Sequence, residues 1–162
     1  MAMTGYLKLT GMNQGPIQGD CKQLGHEDTI LVYEFDHEIS IPRDNLTGLP
    51  TGQRLHRPFA ITKHIDNASP KLCQACTSGE QFSEVILEFY RINERGLEEH
   101  YYTIKLENAI VVDLQTFKPM TLVEETKSLH DMEKVSFTYR KIIWTYVLDG
   151  IESEDDWQVP KA

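Results

Sequence analysis

The sequence predicts a mainly β protein, an antiparallel barrel or sandwich with one short α-helix against it and one extended loop. Three observations carry this. Apolar residues alternate with polar ones over several runs, turn residues separate those runs, and one stretch alone has the start and stop signals of a helix. No internal repeat or low-complexity segment interrupts the pattern, and 162 residues suit a single domain over 1–162.

Taken in order, residues 3–9 and 16–22 read as short strands around a turn at Gly11–Gly15. Gly25-His26-Glu27-Asp28 is a polar turn. From Thr29 to Ser40 the alternation puts Leu31, Tyr33, Phe35, His37 and Ile39 on one face of a single half-buried strand. The next strand runs from Phe59 to Ile65. Ser69 reads as an N-cap and Pro70 as the first helical residue, with Gly79 as the stop. That helix carries Leu72, Cys73 and Cys76 on one stripe, and at this length it must lean on a sheet. Phe82–Ile92 presents two apolar faces, Val85/Leu87/Phe89 and Phe82/Ile86/Tyr90, and Asn93-Glu94-Arg95-Gly96 turns the chain. Glu99–Leu114 follows, with Tyr102, Ile104, Leu106, Ile110, Val112 and Leu114 inward. Residues 115–131 carry no readable pattern. Met132–Val147 changes apolar parity from Val135/Phe137/Tyr139 to Ile142/Trp144/Tyr146, which predicts a β-bulge near Arg140. An acidic tail ends at Trp157, a fold-back anchor.

The loop between the strands at 29–40 and 59–65 is longer than a hairpin connection requires. It holds Pro42, Arg43, Asp44, Asn45, Thr47, Gly48, Pro50, Gly52, Gln53 and Arg54. Pro42 and Pro50 stiffen it, and its composition is not that of a Gly/Ser linker. It reads as a shaped projection that touches something. Charge is unevenly placed around it. Between Arg43 and Lys71 five basic residues stand against two acidic ones, whereas Asp149, Glu152, Glu154, Asp155 and Asp156 crowd the tail. Two such patches predict head-to-tail pairing between copies, or else two solvated surfaces.

The net charge of −9 argues against nucleic acid as a main partner. No window is long and apolar enough for membrane insertion as a helix, and the N-terminus lacks the features of a secretory signal peptide. Synthesis in the cytoplasm is expected, with any export by another route. Cys21, Cys73 and Cys76 have no disulfide-framework spacing. Cys73-Gln74-Ala75-Cys76 has no second half of a zinc site, so its bland reading as core contact is the better one. His26 and His37 lie near carboxylates, yet a lone His on an apolar strand face is more often a hydrogen-bonded core group than a ligand. No phosphate loop, nucleophile elbow or HExxH is present. The expectation is no catalytic residue, no metal and no cofactor. A small-ligand barrel with an apolar cavity is the alternative, and an enzyme built on Cys73, Cys76 and His37 is the third reading.

An ordered set of short motifs adds to this. Gly25-His26-Glu27-Asp28, Phe35-Asp36-His37, Pro42-x-Asp44, Thr47-Gly48-x-Pro50-x-Gly52-Gln53-Arg54-x-His56-x-Pro58-Phe59, Thr62-Lys63, Lys105-Leu106-Glu107-Asn108, Tyr139-Arg140-Lys141-Ile142-x-Trp144 and Asp155-Asp156-Trp157 follow one another along nearly the whole chain. Together they resemble the haemolysin-coregulated protein (Hcp) family, the inner-tube subunit of the bacterial type VI secretion system. The resemblance implies a β-barrel of two sheets with one flanking helix. It implies homohexameric rings stacked into a hollow tube, a VgrG-type spike at the tip, a contractile sheath outside, effector cargo in the lumen, and export through the secretion system. On this reading the loop from Pro42 to Gln53 is the ring-to-ring or ring-to-sheath contact, and the chain is no enzyme.

Overall fold

The computed structural model describes residues 2–160; Met1, Lys161 and Ala162 of the expected single domain lie outside them. Strands β1 (Gly5–Gly11) and β2 (Gly15–Ile17) form a hairpin. β3 (Ile30–Val32), β4 (Glu34–Asp36), β5 (Ile39–Ser40), β6 (Leu55–His56) and β7 (Phe59–His64) precede the helix α1 (Ser69–Ser78). Then come β8 (Gln81–Ile92), β9 (Glu98–Phe117), β10 (Met132–Thr138), β11 (Lys141–Tyr146) and β12 (Ile151–Asp156). All pairings are antiparallel, in the order β1-β8-β9-β10-β7-β4, with β3 on β1 and the β11–β12 hairpin on β9.

The run at 29–40 is therefore three strands rather than one. β3 pairs with β1 up to Val32, and from Glu34 onward β4 pairs with β7 at the other end of the sheet. Tyr33, whose N–H donates to Thr62 O at 2.9 Å, is the switch between the two. This segment closes the barrel. Closure changes the face that points inward: Ile30 and Val32 are buried, then Phe35 packs against the core, so the predicted single face of Leu31, Tyr33, Phe35, His37 and Ile39 is corrected.

A crease explains why one hydrogen-bonded sheet behaves as two. Phe82 pairs with Ala109 and Val85 with Leu106, and all four are buried although each step is an odd number of residues. Beside them, buried Tyr139 and Ile142 make the same odd step about Arg140. Three neighbouring strands thus turn over along one line, helped by Asn108 at φ 52. The bulge expected near Arg140 is corrected: Thr138 faces Ile110 and Lys141 faces Glu107, three residues on in both strands, so no residue is inserted there and the parity change belongs to the crease. In β9 the inward set is Tyr102, Ile104 and Leu106, then Ala109 and Val111, then Leu114 after a second irregularity opposite Ser136/Phe137. Ile110 is half-buried and Val112 exposed, contrary to the uninterrupted alternation. Phe82 likewise belongs to the same interior as Val85, Leu87 and Phe89, so β8 does not need a partner on both faces to account for it.

The interior is filled by Leu7, Ile30, Phe59, Phe82, Leu106 and Phe137, with others around them, where the ligand-barrel alternative requires a cavity. Helix α1 lays Leu72 and Ala75 on this core. Cys73 is exposed and Cys76 half-buried, which corrects the expected stripe. Gly79 ends the helix at φ 69 as expected, but Ala68 occupies the N-cap position and makes no side-chain cap. Ser69 Oγ instead accepts from Asp66 N–H at 3.0 Å and from Lys63 Nζ at 3.1 Å. Lys63 is completely buried, between Asp66 (2.9 Å) and the buried carboxylate of Glu133 (3.4 Å).

Candidate functional site

The long loop is an ordered arm. Its base is the β5–β6 pair, Ile39 opposite His56 and Ser40 opposite Leu55. A single bridge joins Arg43 to Pro50 further out, and Thr51 N–H donates to Pro42 O at 2.8 Å. The tip is a turn held from within by Asp44. Its Oδ1 accepts Leu46 N–H and Thr47 N–H, each at 2.8 Å, while Asp44 N–H donates to Leu49 O at 2.9 Å. The bonds from Thr47 and then Leu46 hold the Asp44 carboxyl below its ordinary value. Gly48, at φ 74, completes the turn in a conformation that side chains disfavour. Asn45, Gly52 and Gln53 are exposed along its length and Pro42 is half-buried. The arm carries apolar side chains into solvent, Leu46 at 97 % exposure with Ile41, Leu49 and Leu55 behind it. Exposed apolar side chains grouped in this way are a feature of interaction surfaces. Because the backbone is already ordered, less conformational entropy is lost when a partner covers it.

Arg54 points the other way. Its Nε donates to Asp155 Oδ2 at 2.7 Å and its Nη2 to Asp155 Oδ1 at 2.9 Å, a bidentate pair. Nη2 also reaches the carbonyls of Asp156 and Val159. Arg54 is thus bound to the tail of its own chain. The tail is strand β12, and its other charges are similarly engaged: Glu152 accepts from Thr145 Oγ1, Glu154 pairs with Lys141 and Asp156 with Arg140. Asp149 lies in the preceding turn. Of the basic residues counted around the arm, Arg57 pairs with Glu38 and Lys63 is interior. Folding brings Arg54 of the arm and Asp155 of the tail, 101 positions apart, into contact within one chain.

Behind Arg54 lies a hydrogen-bonded chain that sequence reasoning did not assemble. His56 Nε2 donates to Asp155 Oδ2 at 2.7 Å, and its Nδ1 lies 2.6 Å from Tyr139 Oη. The same hydroxyl is 2.8 Å from His37 Nε2. Trp157 donates its indole N–H to Tyr139 O and stands over His56 at a ring separation of 5.7 Å. Arg54, followed by His56, holds the Asp155 carboxyl down to about 2 against the opposing effect of burial. Burial and Asp155 push the Tyr139 hydroxyl up, so it stays protonated. Burial and the neighbouring His56 lower His37. The one signal available in sequence was His37 on a largely apolar run, read as a hydrogen-bonded core group; its partner was not legible. Among the described residues no cluster of three or more His, Cys, Asp or Glu side chains could hold a metal ion.

A family model described as "Type VI secretion system effector, Hcp" matches residues 6–146. The chain is 44 % identical over 173 aligned positions to the "Major exported protein" of Pseudomonas aeruginosa, covering all of this chain and 99 % of that protein. Among solved structures it is similar to one described as the crystal structure of Hcp protein (TM-score 0.89, 31 % identity, 97 % of this chain and 99 % of that one). It is also similar to the secreted protein Hcp3 from Pseudomonas aeruginosa (TM-score 0.80, 38 % identity, 96 % and 99 %).

Proposed function

Because this chain belongs to the Hcp family of type VI secretion system proteins, we propose that it is a structural tube subunit whose copies close into hexameric rings and stack into a hollow conduit. On this reading the conduit is capped by a VgrG-type spike, driven by a contractile sheath, and carries effector proteins in its lumen to the outside of the cell. The work is transport by assembly, with no substrate transformed. The observation that carries the reading from family to mechanism is the arm, an ordered projection with Leu46 at 97 % exposure on a chain whose interior is already filled. A rigid apolar knob on one surface, matched by a different surface on the next copy, is the geometry that builds rings and open stacks. We place the ring-to-ring or ring-to-sheath contact at the outer arm, from Pro42 to Gln53.

The clean test avoids Arg54, whose replacement loosens the arm from its own chain. Arg43→Glu with Leu46→Asp alters only exposed side chains of the tip. Particles about six times the 18.7 kDa chain mass should persist by light scattering, while tubes seen by electron microscopy and the amount of protein exported fall at least about tenfold. Normal tubes and normal export in this variant would remove the arm from the contact. A protein that is monomeric under all conditions would remove the tube itself.

A further inference from the structure

We propose that the chain Arg54–Asp155–His56–Tyr139–His37 is a proton-counting latch, which holds the arm to the barrel with no added proton or one and lets it go with two. The argument is a count of donors and acceptors. Arg54 and Asp155 fix one end, since a carboxylate between a guanidinium and an imidazole only accepts, and His56 Nε2 must donate. With both rings neutral, His56 Nδ1 accepts from Tyr139 O–H, and the Tyr139 oxygen accepts from His37 Nε2–H. Every bond is then made.

One proton added to either ring is absorbed. On the His37 Nδ1 it changes no bond in the chain. On His56 Nδ1 it reverses the direction, His56 donating to Tyr139 and Tyr139 to His37. Two protons cannot be absorbed. Both rings then donate to the same oxygen, the buried Tyr139 O–H keeps its hydrogen with no acceptor, and two cations face each other at 6.4 Å. A buried hydroxyl left without a partner is costly, and like charges at that separation add to the cost. The way out is departure of one histidine, and both sit at the root of the arm: His56 is in β6, and His37 lies just before β5. The charged groups around the two rings are Asp36 on the strand leading into His37, Arg54 on the arm, Asp155 and Asp156 on β12, and Arg140 beyond Tyr139, paired to Asp156. Only Asp155 bonds a ring directly, and it stabilises the first proton rather than the second.

The direction of the pH effect follows. His37 is held below its ordinary value of 6.5, so the native state resists its protonation. Its contribution to holding the arm is complete above about pH 6.5 and is lost as pH falls through the lowered value. Asp155 is held down to about 2, so it is still a carboxylate at pH 5 and its own protonation does not release the arm there.

Hydrogen exchange of the assembled protein, read by mass and corrected for the intrinsic pH dependence of exchange, tests this at pH 7.5 and pH 5. Segment 39–56 should lose at least about tenfold in protection relative to segment 104–111 of β9, with quenching of Trp157 by its charged neighbour. His37→Gln, whose amide can meet Tyr139 but takes up no proton, should keep the arm protected at pH 5. Tyr139→Phe should leave it unprotected at pH 7.5. Equal protection at both pH values in the parent protein, or release of the His37→Gln arm at the same pH, overturns the latch. The consequence for tubes rests on the proposed arm contact and is separable from the latch. An acid-released arm with tubes intact by electron microscopy removes the contact and leaves the latch standing, and tubes lost from a still-protected arm remove the latch.

Discussion

Lys63→Met is expected to lower the unfolding free energy by about 3–5 kcal/mol, the usual cost of stranding a buried charge partner. Lys63 and Glu133 are 0 % and 1 % exposed. The three ammonium hydrogens reach Asp66 Oδ1 (2.9 Å), Ser69 Oγ (3.1 Å) and His64 O (3.0 Å). Glu133 Oε1, 3.4 Å away, makes no hydrogen bond among the described residues and is met there by that ammonium. Removing the cation leaves two interior carboxylates without its counter-charge, Asp66 keeping only hydrogen bonds such as that from Ala68 N–H, and the cost is a large fraction of the about 5–15 kcal/mol that holds typical domains together. The cluster also sits at the start of α1, where Asp66 and Ser69 receive the backbone N–H groups of Ala68 and Asp66 in place of an N-cap. Urea unfolding at fixed protein concentration should show the midpoint falling sharply, and the triple change Lys63→Met, Asp66→Asn, Glu133→Gln should recover part of the loss. A single variant that unfolds at the parent midpoint would show that the cluster contributes nothing.

Gly19→Ala is expected to destabilise by the upper end of the about 1–3 kcal/mol typical of overpacking, or more. A Cβ at this position would lie 2.2 Å from Thr29 O, 2.7 Å from Thr29 C and 2.8 Å from Ile30 Cα. All three are backbone atoms of the residues leading into β3, the strand that begins barrel closure, and cannot rotate aside. Relief requires separating 19–21 from 28–30, which breaks Gly19 N–H to Asp28 O (2.9 Å) and Asp28 N–H to Cys21 O (3.0 Å). The same movement pulls Ile30 out of the core. Thermal unfolding of the variant should begin at a lower temperature than in the parent, with early loss of protection in segment 28–36. Unchanged unfolding would mean that the closure segment tolerates displacement.

Much of the architecture was legible because it depends on local chemistry. The strands at 59–64, 81–92 and 132–146 carry their own alternation, Gly79 stops the helix through its left-handed φ, and the parity change at Arg140 announced that the chain turns over there, although as a crease and not as the expected bulge. What stayed hidden was that β8 and β9 turn over beside it. Each change is small in isolation, and only the registers Phe82–Ala109 and Val85–Leu106 show that they lie on one crease. The strand at 29–40 failed for the same reason. Its alternation is continuous in sequence, while its two halves answer to β1 and β7, partners on opposite ends of the sheet.

The arm divides along the same line. Its two prolines, its length and the turn residues Asp44 and Gly48 determine a stiff projection by themselves, since φ restriction and side-chain-to-backbone bonds act within a few residues. Which of its charges are offered to a partner was decided only by folding. Arg43 and Arg54 are equivalent in composition, yet Arg54 is taken up by Asp155, and His56 and His37 meet over a tyrosine from β10's end. Short-range preferences are written in neighbouring residues and can be read there. Charge pairing and shared hydrogen bonds depend on distances across the fold, and those exist only after the barrel has closed.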